Sequence, residues 1–339
     1  MPKRLSPVPF LNLPESWPIL DVRSPSEFAQ GHIPGASSFP LFSDEERAEV
    51  GTLYKQKGKD EALLRGLEFV GPKMADFIRR AVLLCPDKKL RLHCWRGGMR
   101  SGSMAWLLES AGFEVYLLEG GYKAYRREVL DNSPIPENLR IIGGFTGSRK
   151  TEILCELAAK GQNILDLEAL ANHKGSAFGN LGQPAQPRQE QFENLIFSQL
   201  LKHPPGEILW LEDESKAIGK LRVPDGLHEA MRHSRVLFLD RSREERLEHI
   251  ASSYGKETID ELKAGMQRIG KRLGGQALTQ ALEALDQGEI KEAASISLFY
   301  YDKAYRFGLE QRPAELVQSI DCKGLSDSEA AEKLIAAAP

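Results

Sequence analysis

Cysteine is scarce in this chain: the 339 residues hold four, scattered without the paired spacing of a metal knot or a disulfide framework. That excludes a zinc-ribbon protein and a disulfide-stapled secreted domain, and the thiols suit a reducing compartment. A large excess of charge is lacking as well. The formal net charge of −3 excludes a globally basic nucleic-acid coat, so any RNA contact has to come from a local patch. Uninterrupted apolar runs of membrane length are missing, and Met1 to Pro7 leads into proline-broken sequence rather than a signal core. The expectation is a soluble cytoplasmic protein with no membrane association. Internal repeats and low-complexity tracts are absent too.

What is present is chain enough for two domains and two loops with chemistry in them. Strands and helices alternate over the first 130 residues. Residues 19–22 read as a strand, Ser24-Pro25 as a helix start with proline in the first turn, and 31–36 as a turn into another strand. Further strands are expected at 90–93 and 115–118, which gives a small α/β domain with a parallel sheet over 1–130. The polar, proline-bearing stretch 131–138 reads as a linker. A second α/β domain over 139–339 is expected, with strands at 139–144, 163–167, 207–211 and 235–239. Beyond Asp240 the chain turns helical and charged, with helices expected over 242–252, 258–273 and 276–287. Arg268, Lys271 and Arg272 share one side of the second of these, as a solvated face or an RNA backbone contact.

A lone cysteine after a strand is ordinarily a small buried hydrophobe, and Cys85, Cys155 and Cys322 are read so. Cys94 differs. It stands at the head of Cys94-Trp95-Arg96-Gly97-Gly98-Met99-Arg100-Ser101, between a short strand and a helix beginning near Ser101. Glycines and arginines there make a poor core and a good anion cradle. Backbone N–H groups converge on such a loop and the helix dipole favours negative charge. Arg96 and Arg100 add to that field, and the cysteine becomes a nucleophile beside a tetrahedral-anion site.

The second loop, Gly144-Phe145-Thr146-Gly147-Ser148-Arg149-Lys150-Thr151, follows a strand and precedes an apolar helix. It is a phosphate-binding loop with one departure. Backbone N–H groups over Gly144, Thr146, Gly147 and Ser148 would cradle a diphosphate, Lys150 would neutralise it, and the Thr151 hydroxyl would face a Mg²⁺ ion. Arg149 occupies a position where the pattern asks for glycine, so its side chain must swing outward or close part of the site. The apolar run ending in Glu212, Asp213 and Glu214 offers an acid for metal-bound water, with Glu212 and Asp213 the candidates. Asp166 is a further candidate of that kind. No directly ligated resident metal is expected.

The first domain resembles the rhodanese superfamily, on residues 21–36 from Asp21-Val22-Arg23 to Pro34-Gly35-Ala36 and on the cysteine loop. Asp21 and Arg23 are read there as structural hydrogen-bonding residues. With the stretch 42–56, the P-loop domain from Gly144, the stretch 166–179 and Glu214-Ser215 before Ile218-Gly219, nearly the whole chain resembles the tRNA 2-selenouridine synthase family. The resemblance implies a transferase that replaces sulfur by selenium at position 2 of a thiolated wobble uridine in tRNA. It also implies selenophosphate as donor, a partner enzyme supplying it, and transfer of a geranyl group from geranyl diphosphate onto the sulfur.

Those activities are chemically coherent. Alkylated sulfur is a better leaving group and makes C2 more electrophilic, so a selenium nucleophile can add and expel geranylthiol. Five residues separate Cys94 from Arg100, one more than in common sulfurtransferase loops, and a full selenophosphate fits. Either a cysteine adduct carries the selenium, the favoured route, or the loop binds the donor while selenium passes directly. Phe145, Phe178 and Leu181 are candidates for a geranyl pocket or for the core, and Trp95 for base stacking or packing. Two readings of another class stay open on the same residues. One is a cysteine-dependent phosphatase or sulfurtransferase, since His93-Cys94 with Arg100-Ser101 fits a phosphatase signature; the other is a nucleotide kinase or NTPase fused to a rhodanese-like module.

Overall fold

The central strands of the second unit are short, mostly apolar runs, whereas those of the first mix apolar and charged residues, as in Lys89-Leu90-Arg91-Leu92-His93. In the computed structural model, which describes residues 2–254 and 257–338, the chain divides into two compact units, Met1–Ser133 and Pro134–Pro339. The first unit holds strands β1 (Lys3–Leu5), β2 (Ile19–Asp21), β3 (Ala36–Ser38), β4 (Lys89–His93) and β5 (Glu114–Leu118). They form one parallel sheet in the order β1-β5-β4-β2-β3. Ser24 opens the helix Pro25–Gln30 through a reciprocal capping box with Glu27. Between β3 and β4 the expected alternation breaks: the helices Asp44–Gln56, Lys59–Val70 and Met74–Leu84 follow one another with no strand among them. Leucines and alanines at helical spacing among charges account for that run.

A buried ion pair fixes the C-terminal end of β2. Asp21 and Arg23 are both essentially without exposure, 2.6 Å apart, and Arg23 also donates to the Gly31 carbonyl at 2.7 Å and lies over the Tyr122 ring. Burial pushes the Asp21 carboxyl up, but His93 and Arg23 outweigh it and hold it below its ordinary value. His93 is itself pushed down by burial, so Arg23 is the partner that stays charged at neutral pH. The folded value lies below the unfolded one. Stabilisation by the pair is therefore full above the unfolded carboxyl value of about 3.9 and is lost as pH falls through the lower folded value. Arg23→Met should cost about 3–5 kcal/mol at neutral pH by stranding a buried carboxylate. Urea unfolding checks it, and the penalty should shrink as acid protonates the stranded Asp21.

In the second unit β6 (Leu139–Gly144), β7 (Asn163–Ile164), β8 (Leu209–Glu212), β11 (Arg235–Asp240) and β12 (Val317–Asp321) form a parallel sheet in the order β12-β11-β6-β8-β7. Between β8 and β11 lies a small antiparallel pair, β9 (Ala217–Ile218) with β10 (Leu221–Arg222). The strand expected at 163–167 stops at Ile164, because Asp166 turns to cap the helix Leu167–Ala171 and accepts from the Ala169 N–H at 2.8 Å. Beyond β11 the helices Arg243–Tyr254, Ile259–Leu273 and Gly275–Asp286 form as the sequence suggests. A further helix, Ile290–Glu310, runs 21 residues before β12 returns to the sheet edge. Arg268 donates to the Ala177 carbonyl and to Asn180, each at 2.7 Å, so its charge stitches the loop before the helix Gln189–Lys202. Both units are α/β with parallel sheets, the second with a helical C-terminal part. No described helix is long and apolar enough to cross a membrane.

Candidate functional site

The cysteine loop is held from below. β4 delivers Cys94, and the helix Met99–Ser110 begins before Ser101, so Arg100 and Ser101 lie in its first turn with Gly98 as N-cap. The thiol is buried, with Sγ 3.2 Å from the Ser101 hydroxyl. Gly97 adopts φ +65°, in the left-handed region. Two residues that sequence reasoning passed over support the loop: Gly120 and Gly121, at the start of the helix Gly121–Asp131. A Cβ on Gly121 would come within 2.4 Å of the Cys94 carbonyl oxygen and 2.5 Å of the Gly97 nitrogen. The next residues donate upward, Tyr122 N–H to the Cys94 carbonyl at 2.8 Å and Lys123 N–H to that of Trp95 at 2.9 Å. A Gly-Gly pair one residue beyond a strand is the available signal.

Charge around the loop is partly committed. The Arg100 guanidinium pairs with Glu27 at 2.6 Å, while Arg96 is exposed. Burial pushes the Glu27 carboxyl up, and Arg100 with Arg47 outweighs that and holds it below its usual range. Trp95 is half-buried and tilts against Tyr122 at 5.9 Å. Of the other cysteines, Cys85 and Cys322 are buried as expected, whereas Cys155 is exposed, on the solvent side of the helix Lys150–Ala159. Burial pushes the Cys85 thiol up to about 11, which leaves it unreactive at neutral pH.

In the second unit β6 ends at Gly144 and the helix Lys150–Ala159 begins six residues later, leaving Phe145 to Arg149 as the connecting loop. Gly147 has φ +85°, and a Cβ there would meet the Arg246 carbonyl oxygen at 2.7 Å. Arg149 has φ +64°, which explains why a glycine suits the position and costs an arginine about 1–2 kcal/mol. Its side chain has swung outward. Asp327 holds the guanidinium in two bonds of 2.6 and 2.5 Å, and His249 lies 2.8 Å from a third nitrogen. Arg149 thus stays at the rim of a cavity of about 450 Å³ that Thr146, Gly147, Ser148, Lys150, Thr151 and Lys174 also line. The Lys150 ammonium rests on the Gly144 carbonyl at 3.3 Å, and the Ser148 hydroxyl is buried without a partner.

Three carboxylates close one side of that cavity. Glu168, Glu212 and Glu214 each present an oxygen within 4.8 Å of the other two. Burial pushes all three carboxyls well up; repulsion from neighbouring acids adds to it and Lys150 opposes it. Glu212 is buried and its Oε1 has no hydrogen-bond partner, while the Thr151 hydroxyl lies 3.5 Å from Glu168. Such an all-oxygen set with an orphaned acceptor fits a hard divalent cation such as Mg²⁺. Gly175 lets the covering loop approach, since a Cβ there would lie 2.5 Å from a Glu168 oxygen.

The other candidate acids have different partners. Asp213 accepts from Arg312 at 2.5 Å and from the Tyr305 hydroxyl at 2.8 Å, and that hydroxyl accepts from the Gly144 N–H at 3.0 Å. It braces the start of the phosphate loop. Asp166 caps its helix. The sequence does not mark Glu168 and Glu214 as partners of Glu212, because only the folding of β7, β8 and the loop at Gly175 brings the three together.

An apolar pocket of about 50 Å³ opens beside the phosphate cavity, and Thr146, Ser176, Ile250, Tyr254 and Tyr301 line both. Its deeper wall is Phe178, Leu262, Met266, Leu285 and Leu298. Leu181 belongs to the packed cluster behind it, and Phe145 packs edge-on against Phe238 and Tyr305.

The family comparisons agree with this architecture. The model of the tRNA 2-selenouridine synthase AAA domain matches residues 137–332, and that of the rhodanese-like domain matches residues 9–128. The chain is 36% identical over 338 residues to the tRNA 2-selenouridine synthase of Marinobacter nauticus, covering 88% of this chain and 90% of that protein. To the synthases of Shewanella woodyi and Pseudomonas syringae pv. tomato it is 35% and 36% identical, with the same coverage of 88% and 90%. A rhodanese-like unit carrying Cys94, followed by this phosphate-loop unit and matched over nearly the full length of such relatives, belongs to the tRNA 2-selenouridine synthase family of tRNA-modifying transferases.

Proposed function

We propose that this protein exchanges sulfur for selenium at position 2 of the thiolated wobble uridine of tRNA, by way of an S-geranylated base. The observation that carries this reading is the junction of a phosphate cavity with a small apolar pocket in the second unit, which admits the first carbons of a hydrocarbon tail on a bound diphosphate. Gly144, Thr146, Gly147, Ser148, Lys150 and Thr151 bind the diphosphate of geranyl diphosphate, and Lys174 adds a second ammonium. Phe178 and Met266 hold the chain, the latter a side chain that adapts its shape. The thiocarbonyl sulfur attacks the first carbon of the chain, the carbon–oxygen bond breaks, and diphosphate leaves onto Lys150. Mg²⁺ at Thr151, Glu168, Glu212 and Glu214 would supply further positive charge to that leaving group.

At the first unit Cys94, with Arg96, Gly97, Gly98, Arg100 and Ser101, receives selenophosphate from a supplying enzyme. The selenium of selenophosphate adds at C2 of the alkylated base, the C2–sulfur bond breaks, and the thiolate takes up a proton to leave as geranylthiol; the Cys94 thiolate then takes the phosphoryl group as the selenium–phosphorus bond breaks, and water releases it as phosphate.

Cation binding gives a test. The carboxyls of the acidic trio are raised, so the folded protein holds protons there that Mg²⁺ must displace; affinity for Mg²⁺ then rises with pH and binding releases protons. Calorimetry of Mg²⁺ with geranyl diphosphate, in buffers of different ionisation enthalpy, reads both. Cation affinity indifferent to pH, or displacement of geranyl diphosphate by equimolar ATP, would contradict the assignment.

A further inference from the structure

The stretch 42–56 marks the family resemblance, yet nothing in the sulfur or phosphate chemistry uses it. It forms the helix Asp44–Gln56, capped by a reciprocal box between Ser43 and Glu46, and no residue of that helix is buried. A helix with valine, leucine and tyrosine but no buried side chain leaves apolar surface facing a space. That space is a groove of about 500 Å³ between this helix, the helix Lys59–Val70 and the first turn of Met99–Ser110. A second hollow of about 420 Å³ shares Leu41, Leu67, Val70, Met99 and Ser103 with it and extends it to Trp106. Large apolar side chains are held in water along its length: Tyr54 is 56% exposed, Leu67 57%, Met99 48% and Trp106 63%. Apolar surface so concentrated marks a binding face.

Besides Lys55 in the last turn of the helix Asp44–Gln56, the charge on the groove comes from two arginines. Arg47 and Arg100 line it and share Glu27, at 3.4 and 2.6 Å. Arg100 and Met99 belong to the cysteine loop itself, so the apolar groove begins where the anion cradle ends. A ligand matching this polarity has a hydrocarbon chain attached directly to the group that reacts beside Cys94, with phosphates near the arginines. A free anion such as selenophosphate leaves the groove unused.

We infer that this groove binds the geranyl chain of the S-geranylated tRNA base during selenium exchange, placing the thioether carbon C2 at the Cys94 loop and receiving the departing geranylthiol. The inference rests on the S-geranyl route proposed above. It assigns a substrate-chain subsite to Tyr54, Leu67, Met99 and Trp106, in the unit that does not bind geranyl diphosphate.

The test compares two anticodon stem-loops, one carrying S-geranyl-2-thiouridine and one S-methyl-2-thiouridine, as selenation substrates with selenophosphate and the full chain. Wild-type enzyme should prefer the geranyl substrate by about tenfold or more in kcat/KM. Leu67→Asp, at an exposed position, should remove that preference by raising KM for the geranyl substrate, leaving the methyl substrate and geranylation of a plain thiolated stem-loop unchanged. Tyr54→Ala should act in the same direction. Equal loss on both substrates, no loss on the geranyl one, or conversion of a dimer to a monomer by Leu67→Asp overturns the groove assignment alone. Wild-type selenation of the unalkylated stem-loop without any geranyl donor, and of neither alkylated one, overturns the S-geranyl route instead.

Discussion

Lys150→Ala is expected to lower geranyl transfer to thiolated tRNA by about 10²–10³-fold, the usual scale for removing one preorganised charge from a developing anion. Selenation of a tRNA geranylated beforehand should be preserved. Two effects act together in the first reaction. The ammonium next to Gly144 is lost from the departing diphosphate, and the acidic trio loses the cation that opposes its repulsion. Glu168, Glu212 and Glu214 then hold their protons more firmly and compete less well for Mg²⁺. Timed nucleoside chromatography of both reactions checks the split. Retained geranyl transfer, or equal loss of both steps, would remove Lys150 from its assigned place.

Cys94→Ala should do the reverse. Selenation is expected to fall by on the order of 10³-fold or more, as for removal of a nucleophile, while geranyl transfer continues and the S-geranylated nucleoside accumulates. The variant removes only a sulfur that touches the Ser101 hydroxyl, and Gly97, Gly121 and the two N–H bonds from Tyr122 and Lys123 still hold the loop. Equal loss of both reactions by Cys94→Ala would refute a division of labour between the units.

Much of this organisation is legible in the residues, for identifiable reasons. β4 is a short alternating strand and β6 a mostly apolar one, and both end at glycine-bearing loops, so sequence locates Cys94 and Lys150 directly. Asp21 and Arg23 are read as structural from the rhodanese resemblance, and the bidentate pair they form at the end of β2 gives the physical reason. Other features depend on folding. The left-handed backbone of Arg149 and its capture by Asp327, 178 residues away in sequence, cannot be read from local pattern. The acidic trio assembles from the ends of separate elements, so an apolar run ending in acids points to Glu212 but does not distinguish Glu214 from Asp213. Asp213 is drawn away by Arg312, whose side chain arrives after the long helix Ile290–Glu310. The three successive helices before β4 are hidden by an alternation that holds on either side of them, and with them the groove that the first two form with the start of the helix Met99–Ser110.

On the route proposed above, one chain alkylates a thiolated base and then exchanges its sulfur for selenium. Nucleoside mass analysis tests it most directly, on thiolated tRNA incubated with the protein, geranyl diphosphate, Mg²⁺ and selenophosphate. S-geranyl-2-thiouridine should rise and then decay as 2-selenouridine and geranylthiol appear in equal amounts, with no selenation when geranyl diphosphate is withheld. Absence of both modified nucleosides, or selenouridine formed at full rate without geranyl diphosphate, would contradict it.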